Sequence, residues 1–68
     1  MNKPTPSVSI PVGSVKAGVN IRANDAGEVK TVARLESARV AGYKIAVFVD
    51  GTQKALGHKS DLVLTYNV

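Results

Sequence analysis

The sequence predicts an all-β fold, a small barrel of five or six short strands. Three observations carry that expectation. Apolar residues recur at every second position over several stretches, the spacing of a half-buried strand. Turn-forming clusters, Asn24-Asp25-Ala26-Gly27 and Asp50-Gly51, punctuate those stretches. Closure into a barrel would remove exposed strand edges, which a short chain has little else to cover. With 68 residues the chain has room for one core, because a domain of this size buries only about 60% of its unfolded surface.

Residues 1–7, with Pro4 and Pro6 and no periodicity, read as a flexible tail carrying Lys3, and 8–68 as the single domain. Val8, Ile10 and Val12 alternate with Ser9 and Pro11, an edge strand, since Pro11 has no amide to give to a ladder. Val15, Ala17, Val19, Ile21 and Ala23 then share one face, with Lys16, Gly18, Asn20 and Arg22 on the other. After the turn, Val29, Thr31, Ala33 and Leu35 alternate with Lys30, Val32, Arg34 and Glu36. A five-residue loop over 24–28 sets Ala23 opposite Val29, Ile21 opposite Thr31, Val19 opposite Ala33 and Ala17 opposite Leu35, so inward positions meet inward positions. The alternative over 26–40 is a helix, which would make an α+β domain: Asp25 with Glu28 resembles a capping box. On a helical wheel, however, Glu28, Glu36 and Arg39 interrupt the apolar residues, which favours the strand.

Residues 43–49 are rich in strand formers, and Asp50-Gly51 behind them signals a two-residue hairpin. The return strand over 52–57 then sets Lys54 opposite Val47, so Lys54 must snorkel past the core or the turn is longer. Residues 57–60 connect to a last strand, in which Leu62, Leu64, Tyr66 and Val68 alternate with Val63, Thr65 and Asn67.

Composition narrows the function classes. Hydrophobic residues make up 44% and charged residues 21%, which suits a folded chain. The longest apolar run, Ile45 to Val49, is far short of the roughly 20 residues of a membrane-spanning helix. No apolar block follows the N-terminus as a secretory signal would, and the expected location is the cytoplasm. Zero Cys and one His remove disulfides and closed metal sites as supports, so self-association is an expected source of stability, and neither metal nor cofactor is expected.

Four pieces, Val19-Asn20-Ile21-Arg22, Gly27-Glu28-Val29-Lys30-Thr31-Val32, the stretch 43–51 and Gly57-His58-Lys59-Ser60-Asp61-Leu62, resemble Src-homology-3-like barrels of the bacterial and KOW-like kinds. Where bacterial barrels that bind cell walls or peptides carry Gly-Trp, this chain has Gly57-His58. The resemblance implies the barrel fold and a binding role, and its KOW-like side implies contact with ribosome, nucleic acid or transcription machinery. It brings no site residues with it.

Catalysis needs a poised acid, base or nucleophile. His58, Ser60 and Asp61 supply the residue types of a triad, but triads converge from separate elements, and these three are neighbours in sequence, so no enzyme is expected. A net charge of +4 favours anionic partners. On the outward face of the first hairpin Arg22 would lie opposite Lys30, a like-charge pair costing roughly a few tenths of a kcal/mol that an anionic partner relieves. Lys16, Arg22, Lys30 and Arg34 would then form a basic stripe that holds nucleic-acid phosphates or an acidic protein surface. The alternative is a protein-binding, adaptor or inhibitor module: Val32, Phe48 and Val63 fall on otherwise polar faces and would meet another chain or a second copy.

Overall fold

The computed structural model describes residues 4–67. They form six antiparallel strands in one sheet, in the order β1-β6-β2-β3-β4-β5, with β1 Thr5–Pro11, β2 Asn20–Arg22, β3 Val29–Ser37, β4 Tyr43–Phe48, β5 Gln53–His58 and β6 Leu62–Asn67. A single 3₁₀ turn, Val12–Ser14, is the one helical segment among the described residues. The stretch 26–40 is therefore strand and turn, and the helical alternative is excluded. The sheet is not closed: β1 and β5 stand at its two ends with no pairing between them.

Local chemistry places each turn. The β2–β3 connection holds four residues, with the Ala23 amide bonding the Glu28 carbonyl at 2.7 Å and the Gly27 amide the Asn24 carbonyl at 3.1 Å. The β4–β5 turn holds three, because the Phe48 amide meets the Thr52 carbonyl at 2.8 Å and the Gly51 amide the Phe48 carbonyl at 2.9 Å. Gly51 alone takes positive φ there, +89°, the pattern of a three-residue hairpin loop that ends in a left-handed glycine. The expected two-residue loop requires positive φ at Asp50 as well, and among the described residues only glycines have it.

These one-residue differences redistribute the side chains. The β2–β3 register runs Asn20 with Thr31, Ile21 with Lys30 and Arg22 with Val29, one step from expectation. An extra residue at Ala33 then bulges β3, since Val32 pairs with Phe48 but Arg34 with Val47. The bulge puts Val32 and Leu35, three apart, on one face with Phe48 and Ala46. Val32 and Phe48 are accordingly core residues, 1% and 2% exposed, and not an interface. Val63 also turns inward, opposite Ile10, where both pack against the core of Val15, Ile21, Val32, Ala46 and Phe48. Leu62 and Leu64, expected inside, face out.

Two further boundaries move. The first strand begins at Thr5, inside the expected tail, while residues 1–3 lie outside the described residues. The long strand expected over 15–23 is only Asn20–Arg22: a turn closed by the Val19 amide on the Lys16 carbonyl leaves Ala17 exposed.

The sheet curls strongly. Lys54, opposite Ala46, extends its ammonium to 3.0 Å from the Arg22 carbonyl, although β5 and β2 are three strand spacings apart in the sheet. A flat sheet would hold them about 14 Å apart. The lysine side chain thus spans from β5 to β2 across the curl.

Candidate functional site

The shifted register dissolves the predicted basic stripe. Arg22 and Lys30 stand on opposite faces, because consecutive ladder positions alternate. The Arg22 guanidinium turns onto its own loop, donating to the carbonyls of Asn24 at 3.2 Å and Asp25 at 3.1 Å. Lys30 starts on the inner face, its side chain 20% exposed, and reaches the Asp50 carboxylate at 2.7 Å, the Thr52 hydroxyl at 3.1 Å and Glu28 at 3.8 Å. That hydrogen bond, with the charge of Asp50 behind it, raises the Lys30 pKa. Arg34 pairs with Glu36 at 2.7 Å. Lys16 lies apart, exposed in the turn before β2.

A different set of cations, Arg39, Lys44 and Lys59, lies on segments whose backbones meet at one end of the sheet. Lys59 is the pivot: its amide donates to the Gly42 carbonyl at 2.7 Å and its carbonyl accepts from the Gly13 amide at 3.0 Å. This fixes the β5–β6 turn against both the β3–β4 turn, which carries Arg39, and the 3₁₀ turn. Lys44 pairs with Gly57 in the ladder beside it, and its ammonium lies 3.2 Å from the Ser37 hydroxyl. Among the described residues no carboxylate lies within 4 Å of the charged groups of Arg39, Lys44 or Lys59. Tyr43, 44% exposed, stands edge-on to His58 with ring centroids 5.5 Å apart.

No protein-family model, curated protein or solved structure matches the chain.

The geometry around His58 is that of a closed turn. Its Nδ1 accepts from the Ser60 amide at 3.1 Å, which leaves the ring proton on Nε2, and lies 2.6 Å from the Ser60 hydroxyl. The Asp61 carboxylate accepts from the His58 backbone amide at 3.0 Å. A serine relay needs the carboxylate on one ring nitrogen and the serine on the other; here the serine lies on Nδ1, and the Asp61 carboxylate is on the backbone amide and not on the ring. Among the described residues no pocket opens in the surface, no group of acids or histidines is spaced to hold a metal, and no helix is long and apolar enough to cross a membrane.

Arg39 and Lys59 were not singled out from the sequence. They sit in different turns, twenty positions apart, and only the pairing of β4 with β5 brings those turns together.

Proposed function

We propose that this chain is a non-enzymatic binding domain that holds a nucleic-acid backbone on the end formed by Arg39, Lys44 and Lys59. The observation that carries the reading is the placement of Lys59 between Gly13 and Gly42, which joins the segments that bear these cations, none of them ion-paired among the described residues. Asp50 and Glu36 neutralise Lys30 and Arg34, and Asp61 bonds a backbone amide. Such a surface contacts phosphates and positions the ligand without reading its bases. The exposed ring of Tyr43 adds one platform for an unpaired base. The Src-homology-3-like reading of the fold belongs to the same proposal, supported by the short antiparallel strands and by the curl that carries Lys54 to Arg22.

The test is a titration of fluorescent duplex DNA, single-stranded DNA and RNA at several salt concentrations. Each phosphate contact contributes about 0.9 to the slope of log affinity against log salt on duplex DNA, so Arg39→Ala with Lys59→Ala should lower that slope by about 2. Arg34→Ala should leave it unchanged. No binding by the wild type, or an equal loss from Arg34→Ala, would overturn the reading.

A further inference from the structure

His58, half-buried at the end of β5, belongs to the same end of the sheet as Arg39, Lys44 and Lys59, and the phosphate contact proposed above leaves it unused. The Ser60 amide donates to its Nδ1, so the ring proton sits on Nε2. Among the described residues that N–H has no acceptor, and no carboxylate lies within 4 Å of either ring nitrogen. The ring edge that carries it faces Gly42, where a Cβ would fall 2.7 Å from Nε2 and 3.0 Å from Cδ2. The carbonyl of this same glycine holds the Lys59 amide, so the free donor lies beside the pivot of the basic end.

We propose that His58 couples a proton to the binding of a nucleic-acid backbone at this end, an inference that rests on the phosphate-binding reading of the same surface. The neutral ring closes the β5–β6 turn in the free domain; with phosphates bound, the imidazolium joins the cations that hold them. Histidine is the side chain whose charge changes between about pH 5 and 8. A bound polyanion favours the form that carries more positive charge. By linkage, a ligand that favours the protonated ring takes up a proton as it binds and binds more tightly as the pH falls.

The charged and titratable groups on the segments packed against His58 are Arg39 in the β3–β4 turn, Tyr43 and Lys44 in β4, and Lys59 and Asp61 in its own turn. The Asp61 carboxylate accepts from the His58 backbone amide at 3.0 Å and not from the ring. An imidazolium there adds to three cations and one carboxylate, an excess that a phosphate backbone offsets. The turn tolerates the change. An imidazolium cannot accept from the Ser60 amide, but the Ser60 hydroxyl, 2.6 Å from Nδ1, can accept from it instead. Its Nε2–H then makes a charge-assisted hydrogen bond to a phosphate oxygen, roughly twice as strong as a neutral one.

The probe is an oligothymidylate without terminal phosphates, since neither thymine nor a phosphodiester titrates in the histidine range. Calorimetric titration of the full chain at about pH 6.5, in two buffers of different ionisation heat, counts the protons taken up on binding. The wild type should take up a fraction of a proton; His58→Gln, whose side-chain amide can still accept from Ser60, should take up less or none. The slope of log affinity against log salt should be steeper at about pH 5.5 than at about pH 8 by up to about 0.7 in the wild type, one more contact on a single strand, and should not change with pH in the variant. The chain has one histidine, so its ring-proton resonances also report the charge of His58 in the wild type, free and bound, without the variant. Salt-dependent binding with no proton uptake and no change at the ring overturns the inference and leaves the phosphate reading standing. Equal uptake by folded His58→Gln overturns it too, by placing the proton elsewhere. No binding at any pH removes the phosphate reading and the inference with it.

Discussion

The Lys30 ammonium lies 2.7 Å from the Asp50 carboxylate, a bond that ties the start of β3 to the β4–β5 turn across twenty residues of sequence. Asp50 also accepts from the amide of Thr52 at 3.0 Å and from its hydroxyl at 2.6 Å, so one carboxylate organises both the turn and its attachment. The Lys30 hydrogen bond, followed by the two from Thr52, holds the Asp50 carboxyl well below its ordinary value of 3.8.

A pH dependence follows. A depressed carboxylate pKa in the folded chain means the unfolded chain takes up the proton first, so the stabilisation is present above about pH 4 and is lost as the pH falls below it. Lys30, raised above 10.5, has the opposite sign: its share is complete below that value and is lost as the pH climbs through the folded pKa. Asp50→Asn should therefore lower the thermal midpoint at pH 7, and the gap to wild type should narrow at pH 3. A gap of equal size at both values would mean that the ion pair contributes nothing.

Gly42 and Gly51 separate backbone strain from crowding. Both have positive φ, +83° and +89°, where an L-residue costs about 1–2 kcal/mol. A Cβ at Gly51 meets open space, whereas one at Gly42 falls 2.7 Å from His58 Nε2. Urea denaturation should show Gly42→Ala to be the more damaging, since the imidazole must leave its place beside Tyr43.

Phe48→Ala should remove about a third or more of the stability at 25 °C. Removing a buried aromatic costs about 3–5 kcal/mol, against a total near 3–10 kcal/mol for a domain of this length. Leu62→Ala should change stability by less than about 0.5 kcal/mol, because that side chain is mostly solvated. Equilibrium denaturation of the two variants checks both claims.

Lys54→Met keeps an apolar stem of similar length and removes the bond to the Arg22 carbonyl, for a loss of about 1 kcal/mol. Lys54→Ala removes the stem as well and should cost more by the same measurement. Equal losses would show that the stem packs against nothing.

The strands were legible in the sequence, and their facing was not. Alternation located β3 and β4 and the turns on either side of them, because a pleated backbone imposes its period whatever it pairs with. Facing depends on loop length counted to the residue. The β2–β3 loop is one residue shorter than 24–28 and the β4–β5 loop one longer than Asp50-Gly51, and each single step exchanges the two faces of a strand. The bulge at Ala33 adds another exchange in mid-strand, with no glycine or proline to announce it. That is why Phe48 looked exposed. It is also why Lys30 looked like part of a stripe: in its actual register it is an inner-face residue with a carboxylate waiting at the rim.

The position of β6 has a consequence for how the chain comes to be folded. It follows the other five strands in the chain, yet it lies between β1 and β2, and the Thr65 hydroxyl closes onto the Val8 carbonyl 57 positions earlier. Until residues 62–67 have left the ribosome, β1 has no neighbour to pair with, and the nascent chain can assemble only the local meander of β2 to β5. Ordering the first strand therefore waits on β6 and on a long loop closure. A chain cut short before Leu62 loses two strands of the sheet, one of them already made.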